Sequence, residues 1–175
     1  MSKAMKKVPA AEQNIIDLRG MLEWLKSEGD LIETDKEVNP DLEITSIQKQ
    51  LDGGCPILFN HLTGKPNNRV VTNLFGDINV INKLFGWEND TERTKKLAYA
   101  INHPISPVVV SAKEAPAQEE VIKSPKDVNE YMVPIRHTEY EPELTVGSGN
   151  RLISGEHFAG GTDLGYNRMN FRWGN

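Results

Sequence analysis

The residues in this sequence best suited to chemistry crowd into one short stretch near its end, Asp163, Tyr166, Asn167, Arg168, Asn170 and Arg172. Read as a strand running from Asp163 to Trp173, the stretch has Arg168, Asn170 and Arg172 on one face. Asp163 and Asn167 take the other face unless a bulge intervenes. Two arginines on one strand face repel unless an anion or a carboxylate lies between them. Either the stretch is a polar strand face salt-bridged to a neighbour, or it is an anion or carboxylate site. The residues alone leave both open.

Other chemical candidates are weaker. His61, His103, His137 and His157 are far apart in sequence, and none has a partner at metal-ligand spacing; solvated or hydrogen-bonded structural roles suit them. Cys55 follows Gly53-Gly54 and precedes an apolar run, which reads as buried filler rather than nucleophile. "GSGNR" (147–151) and "GGTDLG" (160–165) are glycine-rich. They lack the Lys-Ser/Thr of a P-loop and the strand-to-helix context of a dinucleotide fingerprint. The sequon Asn89-Asp90-Thr91 is read as chance.

The elements that must position these residues show two textures. In "DLRGMLEWLKSEGD", Asp17 can cap a helix with Leu18, Met21, Leu22 and Leu25 as its apolar stripe, and Gly29 ends it. "LIETD" reads as a strand, and "PDLEITSIQKQLDGG" as a helix with Pro40 at its start. "PILFN" and "RVVTN" are strands around the turn-rich "HLTGKPNN". "DINVINKLFG" and "DTERTKKLAYAIN" are helices. From about Asn102 prolines multiply, and "SPKDVNEYM" reads as a short helix with Ser124 as cap and Pro125 at its first position. "RLISGEHF" and Asp163 to Trp173 then read as strands with too few neighbours to bury both faces. The expected organisation is a disordered tail over 1–16, an α/β (α+β) domain over 17–112, and over 113–175 a linker with the opening strands of a second domain. The rest of that sheet is expected to lie in another chain or chain segment.

Composition bounds the partners. The 175 residues carry 20 Lys plus Arg against 25 Asp plus Glu, a net charge of -5. That mild acidity gives no electrostatic reason to expect nucleic acid or an anionic membrane, and no apolar run approaches the roughly 18 residues of a membrane span. "MSKAMKKVPAAEQ" is basic but has no apolar region behind it, so it does not read as a secretory signal. A single cysteine permits no intrachain disulfide, which fits a reducing compartment, and a cytoplasmic location is expected.

Nearly the whole chain resembles the N-terminal part of the UbiD family of flavin-dependent decarboxylases. The resemblance runs through "DLRGMLEWLKSEGDLIETDKEVNPDLEI", "PILFNHLTGKP" with "VVTNLFGD", "SPVVVSAKEAPAQEEVI", "VPIR" and "DLGYNR", in the family's order and with similar spacing. It implies prenylated FMN bound in a split β-barrel, and removal or addition of CO2 on aromatic, heteroaromatic or α,β-unsaturated acids. Losing CO2 from such a carbon leaves a carbanion that no side chain can delocalise, so a cofactor must act as electron sink. By match, Arg168 is the motif arginine that helps bind substrate, and a bidentate fork suits a carboxylate. The stretch Leu164, Gly165, Tyr166, Asn167 and Arg168, with Asp163, would lie against the flavin.

Asp163 stands where the family has the Asn that ligates a divalent metal, usually Mn2+ with a nearby K+, tying the flavin phosphate to the protein. Aspartate is a good hard-cation ligand and adds a negative charge beside that phosphate. The family's remaining metal ligands and its catalytic glutamates match nothing up to Asn175. The resemblance therefore implies a (de)carboxylase portion, inactive alone, that works as a homo-oligomer or with a completing partner chain. The alternative is a non-catalytic binding or assembly subunit that pairs with a full-length UbiD-like partner.

Overall fold

A computed structural model describes residues 15, 17–52, 54–105, 108, 110–115, 119–127, 130–141 and 145–146, and the backbone of 151–155, 162–166 and 169–170. It divides into two compact units, one of residues 1–31 and 77–125, the other of 32–76 and 126–175. Both helices and strands are present, as the α/β reading requires.

The first unit is helical. α1 (Leu18–Glu28) begins where the Asp17 carboxylate accepts the Gly20 N–H at 2.7 Å, and ends at Gly29 with φ 75°. Met21, Trp24 and Leu25 are its buried residues, while Leu18 is 51 % exposed. Leu18 of the expected stripe therefore lies outside the buried face, which Met21, Trp24 and Leu25 make, three residues whose types and spacing already read as core in the sequence. α3 (Ile78–Phe85) repeats the design, with Asp77 as cap, Gly86 at φ 67°, and Val80 and Leu84 buried. The Lys83 ammonium reaches Glu28 at 2.9 Å and Asp30 at 2.6 Å, tying α3 to the end of α1. α4 (Asp90–Asn102) starts at Asn89, whose side chain accepts the Glu92 N–H, while the Glu92 carboxylate accepts the Glu88 N–H.

The second unit holds a three-stranded sheet in the order β1-β2-β3. β1 (Ile32–Val38) runs parallel to β2 (Ile57–Leu62), with Ile32 opposite Ile57 and Val38 opposite Leu62, and a register shift between Thr34 and Glu37. β3 (Val70–Thr72) returns antiparallel. Parallel neighbours need a crossover, and α2 (Glu43–Gln50) supplies it. Val38, Ile44, Ile57, Phe59 and Leu62 form the core, with Ile47, Val70, Val133 and Ile135 packed against it.

Two boundaries differ from expectation. α2 starts at Glu43 rather than near Pro40, because Asp41 is occupied elsewhere. Its carboxylate takes both the Nε and an Nη of Arg136, at 2.7 and 3.0 Å, and Leu42 sits at φ 70° with its N–H donated to the Arg136 carbonyl. The expected helix at "SPKDVNEYM" does not form over 124–127. Ser124 adopts φ 54°, which is not a cap conformation, and a single turn closes from the Glu130 N–H to the Asp127 carbonyl.

Arg136→Ala should cost about 1–2 kcal/mol, since it removes a charge-assisted pair that is only partly exposed. Arg136→Lys should recover part of this by keeping the charge without the fork, as urea midpoints of the three proteins would show. A second expectation concerns Lys83. Burial opposes its charge, but hydrogen bonds and charges from Asp30 and Glu28 outweigh that and hold the ammonium above its ordinary 10.5. A raised folded value stabilises the fold fully below 10.5 and ceases to do so as pH rises through it. Lys83→Met should therefore lower the thermal midpoint at about pH 8, and its deficit should shrink in alkali; a constant deficit would mean that the charge contributes nothing.

Candidate functional site

The motif residues lie on two short antiparallel ladders. β5 (Arg151–Gly155) pairs with β6 (Thr162–Tyr166), which sets Asp163 opposite Ser154, Leu164 opposite Ile153, Gly165 opposite Leu152 and Tyr166 opposite Arg151. β4 (Thr145–Val146) pairs with β7 (Met169–Asn170), with Thr145 opposite Asn170 and Val146 opposite Met169. The backbone thus brings Asp163, Leu164, Gly165 and Tyr166 onto one strand. Asn167, Arg168, Arg172 and Trp173 lie outside the described residues.

The two ladders are not one continuous register. Four residues, 147–150, separate Val146 from Arg151, whereas two, 167 and 168, separate Tyr166 from Met169. The single strand expected from Asp163 to Trp173 is described as two short strands, β6 and β7, each paired in its own ladder.

The segment before β4 ties these ladders to the core. Val133 and Ile135 pack on the apolar cluster. Ile135 and Thr145 exchange both backbone hydrogen bonds at 2.9 Å, and the Asp41–Arg136 pair fixes the next residue. The Thr145 hydroxyl, in a residue only 4 % exposed, donates to the Ile135 carbonyl at 3.2 Å and lies 3.2 Å from His137 Nδ1. The Glu141 carboxylate accepts the His137 N–H at 2.7 Å and stands 3.5 Å from the ring Nδ1.

Among the four histidines, His137 is hydrogen-bonded in this way, His103 bonds the Tyr99 carbonyl and stacks on its ring, His61 is exposed on β2, and His157 lies outside the described residues. Cys55 is half-buried rather than fully buried. Reasoning from sequence misses the links made by Arg136, His137 and Glu141, for which the i, i+4 spacing of His137 and Glu141 is the available signal. Among the described residues no group of three or more His, Cys, Asp or Glu is placed to hold a metal ion, and no helix is long and apolar enough to cross a membrane. An open hollow of about 380 Å³ is lined by the 64–68 turn with Asp127 and Glu130, and by no described motif residue.

Residues 22–101 match the family of the 3-octaprenyl-4-hydroxybenzoate carboxy-lyase N-terminal domain. Over these residues the chain matches the N-terminal domain of the UbiD family. Among curated relatives, it is 28% identical over 147 residues to the gallate decarboxylase of Lactiplantibacillus plantarum, covering 75% of this chain and 30% of that protein. It is 34% identical over 121 residues to the phenolic acid decarboxylase of Sedimentibacter hydroxybenzoicus, covering 65% and 25%. Among solved structures, a dimeric form of the UbiD-class enzyme HmfF from Pelotomaculum thermopropionicum, in complex with prFMN, matches with a TM-score of 0.74 and 28% identity, over 86% of this chain and 35% of that one. The chain thus spans about a third or less of the length of these relatives.

The pairing predicts an order of protection. β2 has a hydrogen-bonded neighbour on each side, whereas β6 is paired with β5 alone among the described strands. Amide exchange across 162–166 should therefore outpace that across 57–62. Equal protection would mean that a further strand covers the second edge of β6.

Proposed function

We propose that this chain supplies the N-terminal α/β domain and the first strands of a split β-barrel in a UbiD-class enzyme. The reaction is removal, or addition, of CO2 on an aromatic or α,β-unsaturated carboxylic acid with prenylated FMN. The observation that carries this reading is the likeness, at 28% identity over 86% of the chain, to HmfF holding prFMN. The names of the gallate and phenolic acid decarboxylases support an aromatic acid as substrate class. The boundary near residue 112 and a cytoplasmic location belong to the same proposal.

The roles follow from chemistry. Bound against this stretch, the prenylated flavin would supply the electron sink that loss of CO2 from an unsaturated carbon requires. Arg168 holds the substrate carboxylate with two parallel N–H donors, which fixes the angle of the bond to be broken as a lysine could not. Leu164, Gly165, Tyr166 and Asn167 would line the flavin, and Gly165, without a Cβ, would let the backbone come close.

Asp163 offers one hard oxygen donor of the kind that suits Mn2+, with K+ nearby. A complete ligand set is absent among the described residues, so Asp163 would be one ligand of several. The proton that replaces CO2 comes from acids that match nothing in these residues. The 175 residues are therefore expected to bind and orient but not to turn over alone, and to act as a homo-oligomer or beside a completing chain.

The test uses the chain joined to the remaining portion of a UbiD-class enzyme and loaded with flavin. Arg168→Lys should keep flavin but lose turnover about 10²-fold, the scale of a small misplacement of reacting groups, and Arg168→Ala should lose more. Turnover near the parent's in both variants would show Arg168 to be structural. Asp163→Asn should keep metal and flavin, whereas Asp163→Ala should lose both together. If Asp163→Ala keeps its flavin absorbance, Asp163 is not a ligand.

A further inference from the structure

The His137, Glu141 and Thr145 side chains meet where the 133–146 segment reaches β4. Around His137 Nδ1 stand two oxygens, the Thr145 hydroxyl at 3.2 Å and the Glu141 carboxylate at 3.5 Å. A bare Nδ1 would turn its lone pair toward an anion and would need the one Thr145 proton that the Ile135 carbonyl also receives. With the proton on Nδ1, the ring donates to the Thr145 oxygen, the hydroxyl donates to Ile135, and the carboxylate faces a positive ring edge. Each group then has a partner of the right kind.

We infer that His137 is a positioning residue for the motif, its Nδ1 proton fixing Thr145 in the place where that residue pairs with Asn170, two positions from Arg168. Thr145 gives both backbone groups to Ile135 and stands opposite Asn170 in the β4–β7 ladder. It is the joint through which the core-packed segment sets the position of β7. The His137 ring clamps the side chain of that joint, and the Glu141 carboxylate, bonded to the His137 backbone N–H, keeps the ring turned toward it. The bearing on catalysis rests on the flavin reading proposed above; the clamp itself does not.

Two measurements on the 175-residue chain without flavin test the clamp, so its failure is separable from failure of the flavin reading. In nitrogen-15 NMR at about pH 9, above ordinary histidine titration, Nδ1 of His137 should be the protonated nitrogen. A ring protonated on Nε2 instead would overturn the inference, and this result needs no variant to fold. His137→Ala should speed amide exchange at Met169, whose N–H faces β4, about fivefold, the effect of one ordinary hydrogen bond, with β2 amides unchanged. His137→Asn, whose side-chain amide nitrogen can stand in for Nδ1–H, should restore the parent rate to within about twofold. Unchanged exchange in His137→Ala, or no rescue by Asn, would mean that the ring acts only by its bulk or not at all.

Discussion

The ion pair between Asp41 and Arg136 joins positions 95 apart in sequence, and the second unit depends on it. It is a fork meeting a carboxylate in plane, reinforced by backbone bonds from Leu42 to the Arg136 carbonyl and from Arg136 to the Pro40 carbonyl. Through it, the start of α2 and the segment that leads to β4 become one object. Ile135 is then held against the sheet core, Thr145 against Ile135, and Asn170 opposite Thr145. Each link is modest alone. Together they carry position from a parallel sheet to the strand pair flanking Arg168. The positive φ of Leu42, at the centre of a tight turn closed from the Glu43 N–H to the Asp41 carbonyl, is the local cost of this arrangement, since that backbone disfavours a side chain.

Much of the α/β part is legible in the sequence because its signals are local. Asp17 and Asp77 cap, Gly29 and Gly86 terminate, and the apolar run in "PILFN" marks a strand. These choices depend on a few neighbouring residues, and the physics of a helix end does not need the rest of the fold. The failures are non-local. Nothing near Pro40 shows that Asp41 will be claimed from position 136, so local signals start the helix too early. Nothing in "SPKDVNEYM" shows that Ser124 will turn left-handed, so local signals suggest a cap where none forms. Arg136 looks like part of a family motif rather than an anchor.

The candidate site is legible as a set of residue types and as a resemblance, and not as geometry. Period-two alternation gives faces only while a strand stays in one register, and the register changes between Tyr166 and Met169. No residue in "DLGYNR" announces that change, because a register is set by the strand on the other side of each ladder. His137 illustrates the same limit: its partners Glu141 and Thr145 are near in sequence, but a bond to Thr145 becomes visible only when Thr145 folds back onto Ile135.

The registers of the two ladders have a consequence of their own. Pairing that ran on unchanged from Val146 and Met169 would set Arg151 opposite Leu164, whereas its partner is Tyr166. The offset is two residues, an even number, so Arg151 still meets a residue of the parity it would have met in an unbroken ladder. An offset of one would have paired it with a residue from the opposite face.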